Sequence, residues 1–389
     1  MPDPSAAEPT PPGRGGAVAS VAIGLVALQI AFRGWASLNG WFFADDLLWL
    51  SRAHGASPFS DALLADWGGH LMPAGFLSTW LVALGSGFHW TAASLLLLGL
   101  QLLADLACWW MVATLFGRRW LSVGLLAFYL LSPLTFPSFM WWASSINQVP
   151  VQASFFALVA CYARWVRTGR PRWAVAAAAA LAFGLGFDVM PVLYLLPLLA
   201  LALIWFRAAE GRGVLPGVLG ALRRDLVVIG ALGALVGAYA VVYLTHSEGL
   251  ASAASVPFGT VADAMFRRSL GPVLLGGPWR WSSANPPVAD VATPDVLATL
   301  AWVVLALLLA WVLRARPAGA WAFAVVLPYL LVVYLLTATT RGFFGAFAGL
   351  QLRYLADGAP VLTLGIGLLL APVIGSSRAD PEPPRITGR

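Results

Sequence analysis

Residues 71–88 read LMPAGFLSTWLVALGSGF, and whether they cross a membrane fixes the sidedness of everything after them. The stretch is apolar enough for a span, yet Pro73, Gly75, Gly85 and Gly87 interrupt it and a polar loop runs straight into it. Around it lie apolar runs near 17–38, 91–115, 120–137, 148–166, 173–187, 189–206, 225–245, 296–313, 320–339 and 355–374. Such runs approach the ~20 residues a helix needs to traverse ~30 Å of hydrocarbon. If 71–88 is a further span, the arginine clusters at 118–119, 164–172 and 207–224 fall alternately on opposite sides. If it lies along the outer interface as an amphipathic segment, the clusters at 14, 118–119, 164–172, 207–224, 314–316 and 378–389 share one side. That gathers sixteen of the 23 basic residues. Basic residues concentrate in cytoplasmic loops, so the expectation is ten spans with both termini cytoplasmic, in a bacterial cytoplasmic membrane.

Composition leads to the same class. Of 389 residues, 60% are hydrophobic and 10% charged, whereas soluble domains carry roughly a quarter charged residues. In lipid every backbone polar group must be satisfied internally, which leaves helices or closed barrels. The runs are continuous rather than alternating over ~10-residue strands, so the expected fold is an all-α polytopic transmembrane helical bundle. The net charge of +6 comes entirely from arginine, without a lysine, and sits in short loops. With so much Ala, Gly, Pro and Arg, that pattern reads as the codon bias of a GC-rich bacterium rather than as a means of binding nucleic acid. Cys108 and Cys161 lie inside apolar runs and read as small buried hydrophobes. Residues 1–16 read as a disordered cytoplasmic tail, 17–375 as the membrane domain and 376–389 as a second cytoplasmic tail. The 17–38 run is too long for a signal-peptide core and is expected to stay as an anchor. Long outer loops are expected at 39–90 and 246–295, with shorter ones near 138–147, 188 and 340–354. No Gly-rich phosphate loop and no zinc-type spacing occurs, so any chemistry belongs on the outer face.

Polar residues are scarce enough there to be weighed singly. Asp45 and Asp46 are adjacent, and on a helix neighbours diverge by about 100°. One is expected to act as a catalytic base or metal ligand; the other, Asp45 on the simplest reading, caps a helix over Asp46–Ala53. His70 can take a phosphate or a metal, or be an interfacial histidine. Trp141 and Trp142 are either belt aromatics or, beside Ser144, Ser145, Asn147 and Gln148, a platform for a sugar ring. Asp188 separates two apolar runs almost without a loop, and an ionisable group at that depth is a functional candidate by default. Arg341, Arg353, Arg267 and Arg268 are outer cations against the charge rule. They suit bidentate phosphate contacts or snorkelling to headgroups. Asp105, inside the second span, needs a partner on another helix.

The order of these features resembles the GT-C class of membrane glycosyltransferases, which includes protein O-mannosyltransferases, aminoarabinose transferases and arabinosyltransferases. Phe43-Ala44-Asp45-Asp46 stands where that class carries an acidic motif after its first span. His70-Leu71-Met72-Pro73 resembles the short motif that opens its second interfacial helix. Arg353-Tyr354, before Pro360, resembles an Arg-Tyr element at the outer end of a late span. The similarity covers residues 40–200 and, more weakly, 340–375. Where many members have an acidic residue in the second outer loop, this chain has Asn147 and Gln148. Many also end in a soluble outer domain, where this chain has a short Pro-rich tail.

The resemblance implies transfer of a sugar from a polyprenyl-phosphate donor to a glycan, lipid or protein acceptor outside the membrane. Asp45 or Asp46 would be the base, Arg341 or Arg353 with His70 would hold the departing phosphate, and Trp141, Trp142 and Asn147 the sugar. Gln148, Asp188 and Tyr354 complete the expected substrate-binding set. A divalent cation, Mg or Mn, at Asp46 and His70 is allowed by the spacing and not required. The rival expectations are a lipid-linked-glycan flippase or other transporter, and a non-catalytic member of the same fold.

Overall fold

The computed structural model describes residues 14–66, 69–85, 88–206, 223, 225–247, 258–285 and 288–376. It is an all-α polytopic bundle with one small β-hairpin. Helix α1 (Arg14–Leu38) leads into α2 (Asp45–Ala53), α3 (Pro73–Ala83) and α4 (Trp90–Phe116). Then come α5 (Trp120–Leu131), the single turn α6 (Phe136–Phe139), α7 (Trp142–Thr168) and α8 (Pro171–Leu185). A 3-10 turn (Met190–Tyr194) precedes α9 (Leu195–Leu201), followed by α10 (Leu226–His246), α11 (Asp295–Ala315), α12 (Phe323–Arg341) and α13 (Gly358–Leu370). Strands β1 (Trp281–Asn285) and β2 (Val288–Val291) pair antiparallel before α11.

Among the described residues, six helical stretches are long and apolar enough to cross a membrane: Gly16–Leu38, Trp90–Phe116, Trp142–Thr168, Leu226–His246, Asp295–Ala315 and Pro317–Phe344. The remaining four expected spans are shorter helices. The 120–137 run stops at Leu131, because Pro133 disfavours helix at Ser132 and Pro137 follows. The 189–206 run is divided into 3-10, α and π stretches, with Pro191 and Pro197 in its first half. α7 starts six residues ahead of the expected 148, which takes Trp142 and Asn147 out of a loop and into a helix.

α3 is the decisive short element. Its eleven residues rise about 17 Å, too little to cross. It is not amphipathic, however. It buries Phe76, Thr79 and Val82 and leaves Leu81 exposed, as is Leu84 just past its end, so the polar face expected for 71–88 is missing. The tails expected at 1–16 and 376–389 fall outside the described residues at 1–13 and 377–389, while residues 14–16 already belong to α1. Residues 207–222, 224 and 248–257, in the Arg-rich connection and the second long loop, also lie outside them.

The core centres on α7, the most enclosed of the long helices, packed between α4 and α8. Close approach to α8 depends on Gly184, where a Cβ would lie 2.4 Å from Ser154 Oγ and 2.9 Å from Pro191. Both cysteines are buried and free. Asp105 finds its partners on α1 and on its own helix. Gln101 donates to it at 2.7 Å, and Gln29, with its amide turned to satisfy both ends, donates at 2.9 Å. Arg33 closes the network, donating to Gln101 (2.7 Å) and Thr135 (2.6 Å) with its guanidinium 4.6 Å from the Phe139 ring centre. Arg33 is therefore a buried link between α1, α4 and the 132–139 turn, not an outer surface charge.

Candidate active site

The first wall is built where the chain leaves α1. Trp90 donates to the Ser37 carbonyl at 2.8 Å, and its ring meets Phe42 edge-on at 4.9 Å, which anchors the Gly40–Phe43 segment. Ala44 then adopts φ +46°, ψ −111°, a strained conformation for a residue with a Cβ. That turn starts α2 at Asp45 and points its two carboxylates differently. Asp46 is buried and accepts the N–H groups of Phe43 (2.9 Å) and Ala143 (2.7 Å), tying the first loop to the start of α7. The carboxylate bound to backbone N–H groups is thus Asp46, and neither aspartate caps α2, whose N-cap is Ala44 without a side-chain hydrogen bond, unlike the simplest sequence reading. Burial pushes the Asp46 pKa up to about 7 against the pull of those two N–H donors. Asp45 is exposed and faces a cavity.

The second wall joins the first loop to the turn after α8. Gly69, at φ +88°, turns the chain into His70. Tyr243 and Tyr239 of α10 donate to the carbonyls of Gly69 (2.8 Å) and Leu71 (3.0 Å), holding the segment on both sides of the histidine. His70 Nδ1 lies 3.1 Å from Asp188 Oδ2, off the line of a good hydrogen bond, so the contact is an ion pair by charge. Burial opposes protonation of His70, but Asp188 outweighs it and raises the pKa above the ordinary value, while the Arg341 charge works the other way. Burial would likewise raise Asp188, yet His70 and the Met190 and Val189 N–H groups hold it below the usual carboxylate range.

The third wall is α7 with the segment before α13. The Arg353 guanidinium lies 4.6 Å from the Trp141 ring centre and 4.8 Å from that of Tyr354. It donates to Gln351 (2.9 Å) and to the Tyr354 hydroxyl (3.0 Å), which uses two of its five N–H groups. Gln148 donates to the Arg353 carbonyl at 2.8 Å. Asn147, with its amide turned to donate to Ala143 (2.8 Å) and Ser144 (2.6 Å), is satisfied within its own helix.

These walls enclose a cavity of about 750 Å³. On it the structure brings together Asp45, His70, Trp141, Asn147, Gln148, Asp188, Arg341, Arg353 and Tyr354. An apolar strip of Val189, Met190, Leu193, Val333, Leu336, Phe343 and Phe344 shares the same space. Two of the expected residues are elsewhere: Asp46 is spent on backbone N–H groups, and Trp142, one step round α7 from Trp141, is buried in the core. Arg267 and Arg268 are also away from it, paired with Asp263 and Asp295 in an exposed cluster. Both Asp46 oxygens accept N–H groups and His70 Nδ1 faces Asp188, so the two residues expected to hold a divalent cation are engaged with other partners. Among the described residues no group of three His, Cys, Asp or Glu side chains is placed to hold a metal.

Sequence reasoning missed Arg52, Tyr243 and above all Asp357 on this wall. The signal for Asp357 was present, a lone carboxylate at the start of an apolar run, but it was absorbed into the 355–374 span.

No family model and no curated protein matches this chain. Among solved structures, ArnT from Cupriavidus metallidurans in the apo state aligns over 91% of this chain and 78% of its own, at 15% identity and a TM-score of 0.38. Likeness at that level carries no argument about function.

Proposed function

We propose that the protein is a membrane glycosyltransferase that moves a sugar from a polyprenyl-phosphate donor to an acceptor hydroxyl at the outer face. The observation that carries this reading is the mixed wall of one cavity, where an exposed carboxylate, guanidinium groups, an aromatic face and an apolar strip meet from distant parts of the chain. The strip of Leu193, Val333, Leu336 and Phe343 suits an isoprenoid chain. Arg341 and Arg353 suit its phosphate, and the Trp141 face suits a sugar ring. The order of the Phe43–Asp46, His70–Pro73 and Arg353-Tyr354 motifs supports the same reading.

In the reaction, Asp45 accepts the proton of the acceptor hydroxyl, as a positioned carboxylate can. The acceptor oxygen bonds to the anomeric carbon while the bond from that carbon to the phosphate oxygen breaks. Its electron pair leaves on the polyprenyl phosphate, whose charge the two guanidiniums stabilise. His70 and Asp188 fix the loop that carries the far wall. Loss of a general base costs about 10²–10⁴ in rate. Asp45→Asn is therefore expected to reduce transfer of labelled sugar from decaprenyl-phosphate hexose to outer-face acceptors by at least a hundredfold. Asp46→Asn is expected to retain most activity per folded molecule. Full activity of Asp45→Asn would overturn the base assignment.

A further inference from the structure

Three residues of the cavity wall, Asp357, Gln148 and Ser144, each carry a buried side-chain oxygen with no hydrogen-bond partner among the described residues; a fourth, His70, has its unpartnered Nδ1 beside Asp188. Ser144 and Gln148 stand one turn apart on α7, so they share a face. Asp357 is 8% exposed and immediately precedes α13. Its carbonyl oxygen accepts the Tyr329 and Tyr194 hydroxyls at 3.1 and 3.4 Å, which pins its backbone against fully buried rings. Gln148 donates to the Arg353 carbonyl, which ties it to the residue that carries the cavity's stacked guanidinium.

Buried polar groups are nearly always paired, and three unpaired on one cavity wall describe hydrogen bonds that a ligand would complete. Their chemistry restricts that ligand. An isoprenoid offers nothing to them. A phosphate offers only acceptors, which the Gln148 oxygen cannot meet. A ring dense in hydroxyls offers donors and acceptors together, and next to Arg353 it stands where a sugar stands relative to its phosphate.

We infer that Asp357, Gln148 and Ser144 form the subsite for the donor's sugar ring, with Asp357 selecting a hydroxyl-bearing ring over the bare lipid phosphate. This rests on the donor reading given under Proposed function. The test uses the full chain in nanodiscs with two probes, decaprenyl phosphate and decaprenyl-phosphate hexose, and measures Kd for each. The natural protein is expected to prefer the sugar-bearing lipid. Asp357→Asn, which keeps the volume, is expected to cut that preference about tenfold, equivalent to about 1.4 kcal/mol, and Ser144→Ala about threefold. Neither should change the Kd of bare decaprenyl phosphate. Should Asp357→Asn fail to fold, Ser144→Ala carries the test alone. An unaltered preference in the folded variants, an equal loss of both lipids, or no preference in the natural protein would each overturn the subsite. If the natural protein binds neither lipid, the donor reading itself falls.

Discussion

Replacing Asp46 by Asn leaves one acceptor oxygen for the two N–H groups of Phe43 and Ala143. An unsatisfied buried donor costs about 1–3 kcal/mol, so thermal unfolding in detergent should shift down by a corresponding amount. The variant also removes a pH slope. Asp46 has a folded pKa of about 7 against an ordinary value of 3.8, so between those values the folded state holds the proton more tightly than the unfolded chain. Stability from this group is therefore complete below about pH 4 and declines as pH rises to about 7. Relative to the natural protein, Asp46→Asn should flatten melting temperature over that window; an unchanged slope would count against the assignment. Two adjacent carboxylates were legible in the sequence as having separate tasks. Which was which was not, because the choice depends on the turn at Ala44 and on where the start of α7 lies.

The link between the connection from α2 to α3 and the turn after α8 is an ion pair, His70 to Asp188. With His70 raised and Asp188 lowered, the pair is fully charged between the ordinary carboxylate and imidazole values. It weakens as pH rises through the elevated imidazole pKa, and as pH falls through the depressed carboxylate pKa. Binding of decaprenyl phosphate is expected to lose affinity on the alkaline side, and His70→Ala should remove that limb; a variant with the same alkaline limb would assign the titration elsewhere. Where α8 meets α7, Gly184→Ala forces a methyl into Ser154 and Pro191. Overpacking of this kind costs about 1–3 kcal/mol, measurable as a lower melting temperature, and an undiminished value would show that the helices separate freely. The long apolar runs announced such helices, while the breaks at Ser132-Pro133 and around Pro191 shortened two of them. α7 ran further outward than its hydropathy suggested, since Trp142–Gln148 is polar enough to resemble a loop yet is covered by neighbouring helices.

Sidedness is accessible to chemistry because Cys108 and Cys161 are both buried. If both termini are cytoplasmic, as the arginine distribution leads one to expect, Ser57→Cys between α2 and α3 should react with a membrane-impermeant thiol reagent on intact cells. Arg170→Cys, exposed between α7 and α8, should react only after permeabilisation. The opposite pattern would invert the arrangement and with it the outer placement of the cavity. Composition and run length were enough to dictate a helical bundle in lipid, because a chain with 10% charged residues has no other way to satisfy its backbone there. The same scarcity made Asp45, His70, Trp141, Asp188, Arg341 and Arg353 stand out, since each ionisable or polar group near hydrocarbon needs a reason. Convergence was another matter. That these groups share about 750 Å³ with Asp357, while Asp46 and Trp142 are buried, follows from helix rotation and from contacts between distant segments, such as Arg353 with Trp141 and Gln148. Periodicity in one dimension does not encode those contacts, because a helix buried on most sides has no polar stripe to reveal which way it is turned.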